Sequence, residues 1–494
     1  MAQPVRNIDE MRPTPDPATV ARMTTVEIPA EVREGRYGTK VVAVEPGGAE
    51  FIALDERHGR PGQLFWTWMS PNLEFATVFV GVISILFFQQ SFWAAVAAIV
   101  LGTALGSLTH GVLSARGPEF GVPQMVLSRI AFGRWGNALP AGLNAVVAGI
   151  GWFAVNSVSG ALALTTLTGM SSALSLVIVV AAQVLIAFMG HNLVHTFERY
   201  AFPLLAVAFL LASVLTLAKA RPGAAAGGGG LGGFLLTVGA AFGYAAGWNP
   251  YATDYTRYLR PDTNRRAVAL WSGLGVFVSC VVLEVVGAAS ATIAAPAGAN
   301  PTAAFTSHLP GAVAKLTLVA IAVGAICANV LNIYSGAMSF LALGIRLPLT
   351  LRRAIVAIVF GAFGFLVALS GLKDAGHRYE SFLLVISYWV GPWLAVYLVD
   401  WYLRRGRRVD GFLFDRAHHP WGGFVAMAVG MVLSIWLFSN QQQYVGPVPR
   451  HWPAFGDVTF EVGFLVAALL YAATFRLQRD ATAQEAAVTA VPVR

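Results

Sequence analysis

The chain has 494 residues, 56% of them hydrophobic and only 12% charged, against about 25% charged in an ordinary soluble protein. Its many apolar runs of about 20 residues exclude a soluble domain and identify a multi-span membrane protein. The net charge of +8 does not point to nucleic acid, because the basic residues lie in short loops between the apolar runs.

In chain order, residues 1–62 are polar and carry no apolar signal-peptide core, so they are expected to form a cytoplasmic N-terminal tail. Twelve membrane spans are predicted, near 65–88, 92–115, 136–167, 172–190, 196–218, 232–256, 267–294, 311–342, 353–371, 379–403, 420–439 and 459–477. The third and eighth exceed what a bilayer about 30 Å thick requires, which predicts tilt. Span 1 contains Ser70-Pro71-Asn72 inside an apolar run. Proline removes a backbone donor and clashes with the preceding turn. In lipid such a break survives only beside protein or a water-filled cavity. Ser70 and Asn72 add directional hydrogen bonding there; the plainer reading is a self-satisfied proline kink. Glu74 follows at membrane depth, where carboxylates are expensive and usually functional. It is the candidate coupling residue, with a structural hydrogen bond to span 6 or 8 as the alternative.

Span 3 places Trp152 and Asn156 four residues apart, on one helical face. An indole beside an amide suits a flat heteroaromatic ligand, and Gly149 and Gly151 let a neighbour or ligand approach closely. Membrane tryptophans are more often interface anchors, but this one lies deep in its span. The Gly-rich stretch 227–233 reads as a loop before span 6. Span 6 carries the second break, Trp248-Asn249-Pro250, after Gly243 and Gly247. A second tryptophan at the break could face Trp152 across a ligand. Asp254, near the end of this span, is a gate or helix-end candidate. Span 7 holds Glu284, a second intramembrane acid on an unbroken helix. In span 8, Asn329 and Asn332 share a face. Neutral amides recognise uncharged polar ligands without burying a charge; interhelical hydrogen bonding is the alternative. Cys280 and Cys327 lie in apolar spans and read as packed thiols.

The breaks sit five spans apart, and two broken spans at matching places mark the binding site of a secondary transporter. The predicted fold is all-α and membrane-spanning, with two inverted repeats of five helices and two helices appended. The segments are a tail at 1–62, a first repeat at 63–218, a second at 219–404, spans 11–12 at 405–478 and a C-terminal tail at 479–494. Six of the 33 Lys/Arg residues, Lys219, Arg221, Lys315, Lys373, Arg378 and Arg450, fall in one set of alternate loops; the rest lie in the other loops and the tails. The positive-inside rule then puts both termini in the cytoplasm of a cell membrane. Neither a metal cluster nor a P-loop motif nor a nucleophile elbow is present in the sequence, so neither covalent catalysis nor direct ATP drive is expected.

At these residues the chain resembles the nucleobase:cation symporter-1 family, in its purine–cytosine permease branch, over about residues 60–480. The matching motifs are G-W-x-P-x-A-x-D-Y (Gly247, Trp248, Pro250, Ala252, Asp254, Tyr255), N-x-x-N-x-Y-S (Asn329, Asn332, Tyr334, Ser335), G-W-x-x-x-N (Gly151, Trp152, Asn156) and S-R-x-x-F-G (Ser128, Arg129, Phe132, Gly133). The resemblance implies a LeuT-like fold and uptake of uncharged nucleobases. By it, Trp152 and Trp248 stack on the base, Asn156 and Asn332 bond its edge, Ser70 lies near the site and Asn329 supports it. Cytosine and purines are the expected substrates, with a hydantoin, allantoin or thiamine-like compound as the alternative. An amino-acid symporter on the same scaffold is the more distant rival. Sodium-coupled relatives place Ser/Thr hydroxyls before the span-8 substrate asparagine, whereas Ala325, Ile326, Cys327 and Ala328 stand here. That departure favours a proton over sodium as the coupling ion. No cofactor, no metal and no nucleic-acid partner is expected, and the sequence carries no signal for an oligomeric state.

Overall fold

A computed structural model describes residues 48–478 except 190, 226, 294–299, 345–348 and 406. Most of the predicted N-terminal tail and the tail at 479–494 therefore lie outside the described residues, as does Arg346. Span 1 comprises Gln63–Met69, a 3-10 turn Ser70–Asn72, and Phe75–Leu86. Spans 2 to 5 are Phe92–Ser114, a helix from Ala138 to Thr168, Ser172–Met189 and His191–Lys219. Span 6 comprises Gly230–Ala246, a 3-10 turn Asn249–Tyr251, and Ala252–Thr256. Spans 7 to 12 are Arg265–Ala291, Gly311–Ala342, Leu349–Gly371, Ala375–Leu403, Trp421–Phe438 and Thr459–Phe475. Among the described residues, eight helices are long and apolar enough to cross a bilayer, and the bent pair in span 1 makes a ninth. Spans 4, 9 and 12 are shorter apolar helices, so the arrangement is consistent with twelve spans.

The spans sort into two packed groups. Spans 1, 2, 6 and 7 pack on one another, and spans 3, 4, 8 and 9 form a second group. Span 5 packs against span 8, and span 10 lies against spans 6 and 12. Each group thus holds two helices from spans 1–5 and two from spans 6–10. Small residues set the closest approaches, because lipid supplies no hydrophobic drive between helices and backbone contact must do so. At Gly81 an added Cβ would stand 1.7 Å from the Glu284 carbonyl oxygen, and at Gly287 it would stand 1.7 Å from that of Val78. Spans 1 and 7 therefore touch backbone to backbone.

The two breaks differ. Span 1 bends by 60° between its halves, with Glu74 fully extended at φ −145°, ψ 171°. Span 6 stays a single span from Gly230 to Thr256, because its break is a tightening rather than a bend. Gly247 N–H is shared between the carbonyls of Gly243 and Tyr244, Trp248 N–H reaches Ala245, and Tyr251 N–H reaches Trp248. These i→i+3 bonds carry the helix past Pro250, whose missing donor would otherwise open it.

Gly81→Val should destabilise by about 3 kcal/mol or more, since the clash is with backbone. Gly62→Val meets nothing within 4 Å and should be silent. Thermal unfolding of the two purified variants in detergent checks this pair.

Candidate functional site

Around the span 1 break, three local hydrogen bonds cover backbone groups freed by the interruption. Leu73 N–H reaches the Ser70 carbonyl, and the Asn72 amide nitrogen donates to the Trp68 carbonyl at 2.7 Å. Thr77 Oγ1 donates to the Asn72 carbonyl at 2.7 Å. The Asn72 amide oxygen accepts Trp248 Nε1 at 2.9 Å, so one side chain joins the two breaks. Ser70 Oγ is buried with no hydrogen-bond partner.

Trp152 ends a π-helical turn, Val147–Trp152, inside span 3. Such turns recur at functional sites. Gly149 and Gly151 let the rings of Phe360 and Phe382 lie directly against the helix. The Trp152 indole is buried and meets three rings edge-on: Phe382 at 5.1 Å, Tyr244 at 5.4 Å and Tyr379 at 6.3 Å. The Trp248 indole meets Trp68 and Tyr251 instead, at 5.9 and 5.6 Å. A Cβ at Gly247 would lie 3.3 Å from Trp152 Cζ2, which places the Trp152 ring beside the span 6 break.

The amides form one network. Asn329 donates to Gln183 Oε1 at 2.9 Å, Phe153 O at 2.9 Å and Ser157 Oγ at 3.2 Å. Its oxygen accepts from Asn156 at 3.1 Å and from Asn332 at 3.4 Å. Asn329 is thus saturated and joins spans 3, 4 and 8. Asn156 Oδ1 is buried without a partner, and Asn332 Oδ1 accepts only the long 3.3 Å bond from Tyr251. These two amides keep hydrogen-bonding capacity that Asn329 does not.

Glu74 is fully buried. Its Oε1 lies 3.0 Å from Tyr244 OH, while Oε2 has no partner. Tyr244 OH also lies 2.5 Å from Thr77 Oγ1. Glu284 lies deeper in the four-helix group, bonded to Thr103 at 2.7 Å. Asp254 does not cap its own helix: its Oδ1 accepts the Gln124 backbone N–H at 2.9 Å, at the first position of the short helix Gln124–Leu127. Among the described residues no group of three or more His, Cys, Asp or Glu is placed to hold a metal ion.

A cavity of about 490 Å³ lies at the face away from the basic loops, lined by Phe75, Val155, Tyr379, Phe382, His377 and Gln442 among others. Tyr379 and Phe382 stand between it and Trp152. Tyr379 OH also donates to the Ala76 carbonyl at 2.9 Å, tying span 10 to the outer half of span 1. At the basic face, arginines tie loops and spans together. Arg257 donates to Gly48 O, Tyr334 OH and Tyr258 OH at 2.7, 3.1 and 3.2 Å. Arg57 donates to the Pro118 and Ile52 carbonyls, and burial, then the Arg257 charge, lowers it to about 10. The structure therefore brings Trp152, Asn156, Trp248, Asn329 and Asn332 together with Glu74, places Ser70 in the same 3-10 turn as Asn72, and leaves Asp254 towards the basic face. Sequence reasoning missed Tyr244, Gln183, Ser157, Tyr379 and Phe382, none of which stands in a local motif.

A protein-family profile described as a permease for cytosine/purines, uracil, thiamine and allantoin matches residues 52–463. A putative purine-cytosine permease of Bacillus subtilis is 30% identical over 455 residues, covering 90% of this chain and 98% of the relative. A purine-cytosine permease of Emericella nidulans is 28% identical over 427 residues, 82% of each chain. Among solved structures, a nucleobase-cation-symport-1 family transporter in a closed conformation with bromovinylhydantoin bound superposes with a TM-score of 0.69. It is 20% identical, and the match covers 88% of this chain and 96% of that one; it shares the LeuT-like fold.

Asn329→Ala should strand Gln183, Ser157 and Asn156, at about 1–3 kcal/mol for each group left unpaired. A lowered unfolding midpoint for the purified variant, larger than for Asn332→Ala, is the expected result.

Proposed function

The chain belongs to the family of permeases for cytosine/purines, uracil, thiamine and allantoin, and we propose that it imports an uncharged nucleobase, cytosine or a purine, by proton symport. The carrying observation is the buried cluster of side chains beside the span 1 break. It combines two indoles, Trp152 and Trp248, with neutral hydrogen-bonding atoms without full partners at Ser70, Asn156 and Asn332. Flat rings with mixed donor and acceptor edges fit that chemistry. A charged ligand would have to shed its hydration among neutral amides, at a cost of several kcal/mol. The amino-acid alternative needs one indole at most and a free helix N-terminus for its carboxylate.

In this reading the basic face is cytoplasmic in a cell membrane, with both termini on that side. The cavity then faces outward and the Arg257 seal closes the inner route. A base entering through the cavity displaces Phe382 and Tyr379 to reach Trp152. Release requires the inner seal to open while Tyr379 holds Ala76, which is alternating access between the two helix groups. Proton coupling is supported by Glu74, a buried carboxyl at the break with one oxygen unpartnered. It is also supported by the span 8 stretch from Ala325 to Ala328, which offers no hydroxyl to a sodium ion.

Uptake of labelled cytosine, adenine, guanine and hypoxanthine into cells lacking their own permeases tests the substrate class, with a hydantoin as competitor. Entry of none of the four, or displacement only by the hydantoin, would overturn it. Asn156→Ala and Asn332→Ala should each weaken base binding about tenfold; wild-type affinity in both would reduce them to helix–helix contacts. Glu74→Gln should keep base affinity within about threefold, under 1 kcal/mol, yet lose accumulation against a gradient. Strict sodium dependence without proton movement would reject the ion assignment.

A further inference from the structure

Three hydrogen bonds run in series from Glu74 to the span 1 break. Glu74 Oε1 meets Tyr244 OH at 3.0 Å, Tyr244 OH meets Thr77 Oγ1 at 2.5 Å, and Thr77 Oγ1 meets the Asn72 carbonyl at 2.7 Å. The two hydroxyls bring one hydrogen each, and a carbonyl brings none. Thr77 spends its hydrogen on Asn72 O, so Tyr244 must donate to Thr77. The remaining contact, Tyr244 with Glu74, then has a hydrogen only when the carboxyl carries a proton and donates it to the tyrosine oxygen. With Glu74 ionised, three contacts share two hydrogens, and one of them becomes lone pair against lone pair.

We propose that Tyr244 and Thr77 relay the protonation state of Glu74 to the Asn72–Trp248 contact, so that base binding follows proton binding. The proposal rests on the proton reading above and adds the route. When the proton leaves Glu74 for water, the carboxylate takes the Tyr244 hydrogen. Thr77 must then either turn its own hydrogen to Tyr244 and release the Asn72 carbonyl, or draw away from the tyrosine. Either change loosens the turn that holds Asn72, whose amide oxygen positions Trp248 Nε1. The same tyrosine supports the edge of Trp152, so both indoles of the pocket lie one contact from the relay. Tyr244 and Thr77 are positioning residues in this scheme, not ligands of the base.

Other titratable groups stand around the relay. Span 7 contributes Cys280 and Glu284 to the surroundings of Glu74, and span 10 contributes Tyr379. Span 8 approaches with backbone, at Gly324 against Leu73 O and the Glu74 side chain. Tyr379 has its own acceptor at Ala76 O, and Glu284 is held by Thr103. Among the described residues, Tyr244 is the group hydrogen-bonded to the Glu74 carboxyl.

The test uses the full-length protein in proteoliposomes, with whichever labelled base the wild type takes up. Wild-type affinity should fall about tenfold or more as pH rises through the Glu74 titration. Tyr244→Phe keeps the ring against Trp152 and removes the hydroxyl. Its base affinity should vary less than about twofold over the same range, and its accumulation should fall. Thr77→Val should behave likewise, and Thr77→Ser should restore the wild-type profile. A wild-type pH profile in Tyr244→Phe and in Thr77→Val would overturn the relay. If Tyr244→Phe binds at no pH, the threonine pair decides: a flat profile in Thr77→Val with a normal one in Thr77→Ser supports the relay, and identical profiles overturn it. Wild-type affinity that ignores pH, with no proton flux, would instead remove the proton reading beneath it.

Discussion

The Asn72 side chain is the contact on which this site depends. A helix can be interrupted in an apolar interior only if the backbone groups it frees are bonded elsewhere, since each orphan costs several kcal/mol. Asn72 does this with one amide. Its nitrogen takes the Trp68 carbonyl one turn back, its own carbonyl is covered by Thr77, and its oxygen reaches across to Trp248. The interruption is thereby stable, and it is fastened to the second break. Glu74 can stand extended at the start of the outer half-helix because the turn before it is closed.

The two breaks divide the work unequally. Span 1 is two bodies at 60°, and span 6 is one helix tightened by 3-10 bonds. The outer half of span 1 is locked to span 7 backbone to backbone and meets span 10 through Tyr379 and the Phe87–His377 stack. Span 6 runs past the site as one helix. It carries Trp248 at the pocket and Tyr244 behind Trp152, and its far end carries Asp254 and Arg257 at the basic face.

The breaks were legible in the sequence because proline and asparagine act locally: a missing donor and a side chain able to replace it are visible within four residues. The aromatic–amide pair in span 3 was legible for the same reason, through helical spacing. The shape of the second break was not, since Pro250 reads the same whether the helix bends or tightens, and Gly247 shares its N–H in a way no spacing reveals. The π-turn before Trp152 depends on Phe360 and Phe382 pressing on two glycines from other spans. Tyr244 and Gln183 were invisible for a related reason. Each earns its role from a partner far away in the chain, Glu74 in one case and Asn329 in the other, and nothing around either residue marks it. The resemblance implies a supporting place for Asn329 and the residues alone allow interhelical hydrogen bonding; its saturated hydrogen bonds favour both over direct ligand contact.

That saturation also bears on how the pocket selects. Asn329 uses both sides of its amide to lock spans 3, 4 and 8 together, which fixes the orientation of Asn156 and Asn332 before any ligand arrives. Preorganised polar groups cost little to order on binding. Asn156 Oδ1 and Ser70 Oγ lack protein partners, so on the proposed reading a ligand with matching groups gains hydrogen bonds there. A ligand without them leaves those atoms buried and unpaired, at about 1–3 kcal/mol each. Discrimination on the proposed reading therefore comes from the penalty for a mismatched edge, while the indoles accept any flat ring.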